Sequence, residues 1–512
     1  MRFPLLLVAV ALMAVPHSAP AHAQGIEFGP RDEAPVRSKK PRKPAPIPPA
    51  APLESEQDAA AAVTVPPIRT APPAQTPAPG RPDAVTPALA PAAAPAIPDA
   101  APEKPLVTPA AVPPVRAPAA TDTAALPPPP APANCKNSGN FNAWLAQFRQ
   151  EASAKGVSSN TIHNALDGMS LDGGIIARDR KQGIFAISFL EFSAKLATPA
   201  RVKNGRAQIG RNAATFDRVA QEFGVPASVI TGFWALESDF GAGMGKLPIL
   251  RSLATLAYDC RRGPMFRAEL LAALQIIDRG DLTPDDMVGS WAGELGQTQF
   301  LPTRYLEHAI DYDGDKRPDV FRSSADIIGS TANYMTHLGW RKGEPWLQEV
   351  RVPTELPWQD ADLTIKHPLS KWAGWGVTAA DGGTLQQDSD LPASLVLPMG
   401  RFGPAFLAYA NFDIYLKWNQ SLNYAITAAY LATRIDGAPP FQQGRKGIPV
   451  LDAESSREVQ RRLADRGFDV GEIDGKIGLK TRQAIKAMQQ KYGLPADSYP
   501  TPELLAALRD RQ

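Results

Sequence analysis

The sequence predicts a mainly α-helical folded region of about 375 residues, long enough for two or more cores, behind a disordered tether. Three observations carry this. Apolar residues recur at helical spacing through much of the chain after Cys135. Glycine and proline sit at the ends of those stretches, where helices stop and start. More than half of the 53 prolines lie between Pro41 and Pro132, so two very different compositions share one chain.

The first element is a leader. Arg2, the apolar run Leu5 to Val15 and Ala21-His22-Ala23 make a charged start, a short hydrophobic stretch and a small-x-small cleavage pattern. The run is shorter than the roughly 20 residues that cross a bilayer, and no Cys follows the cut to carry a lipid. Residues 1–23 are therefore expected to be removed on export to the periplasm, leaving no stable membrane anchor.

Residues 24–134 form the Ala/Pro-rich tether. So few large apolar side chains cannot offset the entropy of ordering, and the segment is expected to stay disordered or partly polyproline II. About 90 such residues reach at most about 280 Å when fully extended. The basic cluster Arg37, Lys39, Lys40, Arg42 and Lys43 reads as a solvated charge run. The net charge of the chain is only +2, so no nucleic acid is expected as a partner.

Two cysteines are present, Cys135 and Cys260. In an exported protein they would form one disulfide, or remain two unrelated thiols. With no CxxC, no HExxH and six scattered histidines, zinc is not expected.

Helical spacing marks 141–148, 216–223, 228–236, 266–277, 325–338 and 424–435. Residues 340–399, rich in Pro, Gly and Asp, read as irregular. Gly437-Ala438-Pro439-Pro440 opens a short second linker, 438–450. Residues 451–509 then form a compact module of an amphipathic helix, a tight Asp-Gly turn, a second helix and a third capped by Thr501. Its Gln460-x-x-Leu463, Asp474-Gly475-x-x-Gly478 and Thr481-x-x-Ala484-Ile485 positions resemble the three-helix peptidoglycan-binding domain of bacterial wall enzymes.

The chemistry centres on Trp234-Ala235-Leu236-Glu237-Ser238-Asp239-Phe240-Gly241. Glu237 ends an almost wholly apolar helical segment, and apolar surroundings raise a carboxyl pKa as a general acid at neutral pH requires. Asp239 is the only nearby candidate for a second acid, and at i+2 it does not share the helix face of Glu237, so it reads as structural. The run Gly241 to Lys246 lacks the spacing of a phosphate loop and follows a helix.

With Gly245 to Leu250, Ser252 to Tyr258, Arg261-Arg262, Gly289-Ser290-Trp291-Ala292-Gly293, Gly296 to Pro302 and Lys417 to Ser421, the motif resembles the membrane-bound lytic transglycosylase B family. The resemblance implies a lysozyme-like, mainly α catalytic domain over 135–437 with Glu237 as its single acid and base. It implies cleavage of the MurNAc–GlcNAc β-1,4 bond of peptidoglycan glycan strands without water. Ordinary glycosidases need two carboxyl groups; here the substrate's acetamido oxygen would replace one. The resemblance also gives Ser290 a place beside the acetamido group, lines a cleft with Gln299, Arg261 and Arg262, and lets Trp418, Asn419 and Tyr424 contact sugars. The chain departs from some relatives at Trp418 and Met265. The alternatives are a hydrolytic muramidase and a non-catalytic wall-binding scaffold, and Glu237, Ser290 and Asn419 speak against the latter.

No cofactor is required by this chemistry. Asp311, Asp313 and Asp315 alternate like the first ligands of a calcium loop, although Gly314 and Arg322 break the standard pattern. By resemblance Asp326 would close a structural calcium site, with Arg317 in the loop. An Asp-rich turn paired to Lys316, Arg317 or Arg322 is the other reading.

Overall fold

The computed structural model describes residues 139–180, 187–385, 391–445 and 447–510. The expected leader, the tether and Cys135, hence one half of the expected disulfide with Cys260, lie outside them. Among the described residues there are seventeen α-helices and seven short strands, so the protein is mainly α.

The helix Ala227–Ser238 is the centre of the core, with every residue from Ser228 onward buried. Its sequence explains this: a helix apolar on all sides has no face for water and must be surrounded. The helix Leu422–Asp436 lies close against it. Gly232 makes room for the approach, since a side chain there would meet Ala428 and Ala432 of that helix. Gly205 in the helix Pro199–Arg211 does the same against Thr231 and Ile435. Helices Ile249–Tyr258 and Gly263–Arg279 pack together on another flank. Helix starts follow local chemistry: Asn140, Ser158, Ser188, Thr198 and Ser323 each cap an N-terminus with a side-chain oxygen.

Strands β1 (Leu247–Pro248) and β2 (Val288–Gly289) pair antiparallel, Leu247 opposite Gly289. The stretch expected to be irregular instead contributes to a five-stranded antiparallel sheet. Its strands are β3 (Leu347–Arg351), β4 (His367–Pro368), β5 (Thr378–Ala379), β6 (Pro392–Val396) and β7 (Ala405–Ala408), in the order β4-β6-β7-β3-β5. The sheet has a core of its own that includes Val350, Trp358, Trp372, Leu395 and Leu407. It escaped the sequence reading because the strands are two to five residues long. In addition, β7 is buried at every position, so no apolar–polar alternation marks it.

The C-terminal module contains the helices Ala453–Ala464, Leu479–Lys491 and Pro502–Asp510. Gln460 pins its turn: Nε2 donates to the carbonyls of Glu472 and Lys476 at 2.8 and 3.0 Å, and Oε1 accepts from Gly475 N at 2.7 Å. The module is docked on the rest of the protein. Arg482, buried, donates to the carbonyls of Leu397, Pro398 and Ser498. Lys486 pairs with Asp362 at 2.6 Å, and Arg401 with Asp497 at 3.2 Å. The short linker is itself tied down through Arg445 N to Phe402 O at 2.7 Å. No helix among the described residues is long and apolar enough to cross a membrane.

Candidate active site

Glu237 occupies the last turn of the central helix and is only 1% exposed. The chain leaves the helix through three consecutive left-handed residues, Asp239, Phe240 and Gly241, with φ of 51°, 59° and 87°. Ser238 Oγ accepts from Gly241 N at 2.8 Å and tightens the turn. Gly241 is required there, because a Cβ would press on the carboxamide of Gln297. Asp239 turns away to Arg201 at 3.4 Å.

Two late residues reach back to the carboxyl. Trp418, at the end of the helix Phe412–Trp418, donates from Nε1 to Glu237 Oε1 at 2.8 Å. Tyr424, in the first turn of Leu422–Asp436, donates its O–H in a short hydrogen bond to the same oxygen. The Trp418 ring is wedged among Phe233, Phe300 and Tyr334 at 4.4, 5.9 and 5.3 Å, which fixes the direction of its N–H. Oε2 of Glu237 is buried and has no partner. Burial pushes the carboxyl up to about 8, and the hydrogen bonds from Tyr424 and Trp418 pull the other way. Glu237 is therefore protonated at neutral pH, in a pocket prepared to receive its anion.

The loop 289–300 forms another wall. Ser290 Oγ accepts from the amides of Ala292 and Glu294 at 3.2 and 3.3 Å and bonds Glu294 Oε2 at 2.8 Å. Gln299 holds a left-handed φ of 53° while its Nε2 donates to Gly296 O at 2.8 Å, and its Oε1 is buried without a partner. A non-glycine residue in that conformation is strained and often functional. Asn419 is nearly buried, its Oδ1 accepting from Ser421 N at 2.9 Å.

Several expected roles change. Tyr424 is fully buried and gives its O–H to Glu237, so it holds the acid in place of a sugar. Trp418 gives its only N–H to Glu237, while its ring is only partly buried. Arg262 does not line a cleft: its side chain is 4% exposed and ion-paired to Asp179, which also receives Arg261 at 3.0 Å. A buried guanidinium must be paired, and Asp179 supplies that pairing.

Asp239 is also not the only second acid. Glu294 is 1% exposed, and its carboxyl is raised well above the usual range by burial first and by neighbouring Glu237 second. Neither Asp179 nor Glu294 stands in a pattern that a single sequence reveals.

In the acidic loop, oxygens of Asp311, Asp313 and Asp326 lie within 4.8 Å of one another. Asp315 is not in that group; its Oδ1 accepts from Arg317 N at 3.1 Å. Asp326 accepts from the amides of Tyr312, Asp313 and Asp319 at 2.6, 3.2 and 2.7 Å, and so shapes the loop itself. A cavity of about 660 Å³ beside Trp340, Trp346 and Tyr409 shares no residue with the surroundings of Glu237.

Comparison with known proteins agrees with this arrangement. Residues 140–433 match a family described as the transglycosylase SLT domain, and residues 452–508 one described as a putative peptidoglycan binding domain. The chain is 30% identical to the membrane-bound lytic murein transglycosylase B of Escherichia coli over 249 residues, 48% of this chain and 67% of that protein. Its fold is similar to that of SltB3 from Pseudomonas aeruginosa solved with NAG-anhNAM-pentapeptide. That match has a TM-score of 0.68 and 41% identity, and covers 73% of this chain and all of the other. The Escherichia coli lytic transglycosylase Slt35 in complex with calcium is similar at a TM-score of 0.50 and 27% identity, over 59% of this chain and 94% of that one.

Proposed function

The chain belongs to the transglycosylase SLT domain family, and on that premise we propose that it cleaves the MurNAc–GlcNAc β-1,4 bond of peptidoglycan without water, with Glu237 as acid and then base. It is a lytic transglycosylase acting on peptidoglycan strands, joined to a peptidoglycan-binding module. What supports the finer reading is the buried Glu237, its carboxyl pushed up to about 8 by burial, with one oxygen held by Tyr424 and Trp418 and the other left open.

In the first step Glu237 gives its proton to the glycosidic oxygen while the substrate's acetamido oxygen attacks the anomeric carbon. The resulting carboxylate is stabilised by two donors already in position, which is how a preorganised site lowers a barrier. In the second step that carboxylate takes the proton of the 6-hydroxyl while O6 attacks the anomeric carbon, and the bond from that carbon to the acetamido oxygen breaks as the 1,6-anhydro ring closes. Glu237 ends protonated, ready for another turn. Ser290, Gln299 and Asn419 would meet the substrate, with Arg261 and Arg262 acting from behind. With the export signal expected at residues 1–23 it would work in the periplasm, with 135–437 as catalytic domain, 24–134 and 438–450 as linkers and 451–509 as wall-binding domain. Cys135 and Cys260 would be joined as one disulfide.

Calcium fits the acidic loop as a structural ion. Asp311, Asp313 and Asp326 would hold it, since three converging carboxylates repel one another without a cation. Asp315 and Arg317 would support the loop. The ion would neutralise the cluster and stiffen the segment; it has no part in the proton transfers.

The test is product analysis. Purified sacculi digested with the protein should release 1,6-anhydro muropeptides by mass spectrometry, and Glu237→Gln should release about 1,000-fold less, within the range expected for a general acid. Reducing-end muramic acid instead would make the enzyme a hydrolase.

A further inference from the structure

We propose that Gln297 is a positioning residue: its carboxamide ties the backbone around Glu237 to residues 320–321, and so keeps the acid in register with the wall that carries Ser290 and Gln299. This rests on the reading of Glu237 above and deepens it.

Gln297 stands at the tip of the loop 289–300. Leu295 and Phe300 close that tip with reciprocal backbone hydrogen bonds of 2.7 and 2.9 Å. The tip is pressed onto residue 320. Gln297 N donates to Val320 O at 2.9 Å, and Gly296, at φ 68°, leaves no room for a Cβ against the Val320 carbonyl.

From there the side chain reaches in two directions. Oε1 accepts from Trp234 Nε1 at 2.7 Å, and Nε2 donates to Phe321 O at 2.7 Å. An indole N–H can only donate and a carbonyl can only accept, so an amide in this one orientation answers both. A carboxylate would face the carbonyl with no hydrogen to give.

The two sides of Glu237 meet at this carboxamide. Trp234 lies three residues earlier, nearly one turn back on the same helix. Gly241, four residues later, touches the carboxamide closely enough to exclude a Cβ. Trp234 O also accepts from Phe240 N at 3.4 Å, and its ring meets Phe240 edge-on at 5.6 Å. The far anchor is firm. Asp319 Oδ1 accepts from Phe321 N and Arg322 N, both at 2.9 Å, and Asp319 N donates to the buried Asp326 at 2.7 Å. Trp418 and Tyr424 fix the carboxyl of Glu237; Gln297 fixes the backbone that carries it. A displacement of about 1 Å between acid and substrate can cost about 100-fold in rate, so such a brace bears on catalysis without touching the sugar.

The experiment compares Gln297→Met, of the same length but without the carboxamide, with Trp234→Phe, which removes one of the two bonds, and with the double variant. All are assayed on soluble glycan strands at a temperature where circular dichroism shows them folded. Gln297→Met should lower kcat about tenfold or more with KM within about twofold of the parent. The double variant should fall little further than the worse single variant, because both act through one bond. A raised KM with kcat held would make Gln297 a sugar contact, and an unchanged kcat would leave it merely structural. Either result, or additive losses in the double variant, would overturn the proposal. A second measurement needs no turnover. In the Glu237→Gln background, adding Gln297→Met should speed hydrogen exchange of the amides in 239–243 and 320–322 together, by about tenfold, and leave 472–476 of the C-terminal module unchanged. Faster exchange confined to 289–300 rules out the brace. If Glu237→Gln still digests sacculi, the reading of Glu237 fails and the exchange result still decides whether Gln297 bridges the two segments.

Discussion

Arg482 and Glu237 are both withdrawn from water, yet the protein surrounds them in opposite ways. Arg482, at the seam with the C-terminal module, donates to three backbone carbonyls, and nearby Lys486 meets Asp362. Among the described residues, Glu237 has two neutral donors on one oxygen, nothing on the other, and no cation beside it. A buried charge fully met by partners holds parts together. A buried carboxyl left without a cation keeps its proton, at a cost to stability. Asp179, bound by Arg261 and Arg262, is a buried carboxylate that does receive its cations. It is the missing cation that marks a residue kept for proton transfer.

Removing each group should therefore move stability in opposite directions. The largest effect is expected from Glu237→Gln. The folded carboxyl titrates at about 8, above its unfolded value, so the protein loses stability as pH rises from about 4.5 to 8. The amide abolishes that loss, and the variant should be more stable than the parent by a few kcal/mol at pH 8 and equal to it at pH 4. Denaturant unfolding at the two pH values checks this; a variant equal to the parent at both would remove the contrast. Arg482→Ala should do the reverse, costing about 2–4 kcal/mol by orphaning buried carbonyls, read in the same unfolding curves.

Tyr424→Phe sharpens the comparison within the site. The lost O–H favoured the carboxylate, so Glu237 should hold its proton still more tightly. The alkaline limb of kcat should then move to higher pH while kcat falls about tenfold. An unmoved limb would mean that Tyr424 does not act on the acid. The smallest effect concerns the acidic loop, where the compensating charge is expected from outside the chain. Added calcium should raise the parent's Tm by a few degrees, as ligand linkage requires, and leave Asp313→Asn unchanged.

Much of the site was legible, for reasons that differ residue by residue. Glu237 could be found because an all-apolar helix ending in an acid is a local pattern. Gly241 could be found because a helix stop is local too. Gln460 and Gly475 lie close enough in sequence to read as one motif, and they bond to each other. Tyr424 was picked out but given a sugar to hold, because nothing near it in sequence shows that its hydroxyl meets a carboxyl 187 positions earlier. Arg262 was expected to line the cleft, since its partner Asp179 comes 83 positions before it. The sheet of β3 to β7 was passed over because its buried strands carry no alternation.

The sequence by itself determined the helical class and the wall-binding module, and singled out Glu237 as the candidate acid. Periodicity, capping and turn chemistry act between residues a few positions apart, so a single chain displays them. Only the tertiary structure decided what surrounds Glu237, which second carboxyl accompanies it, and that the module is docked through Arg482. Those outcomes depend on which distant segments share a low-dielectric interior, where one partner more or less determines whether a group keeps its proton. That choice is made by packing and is written nowhere in local sequence.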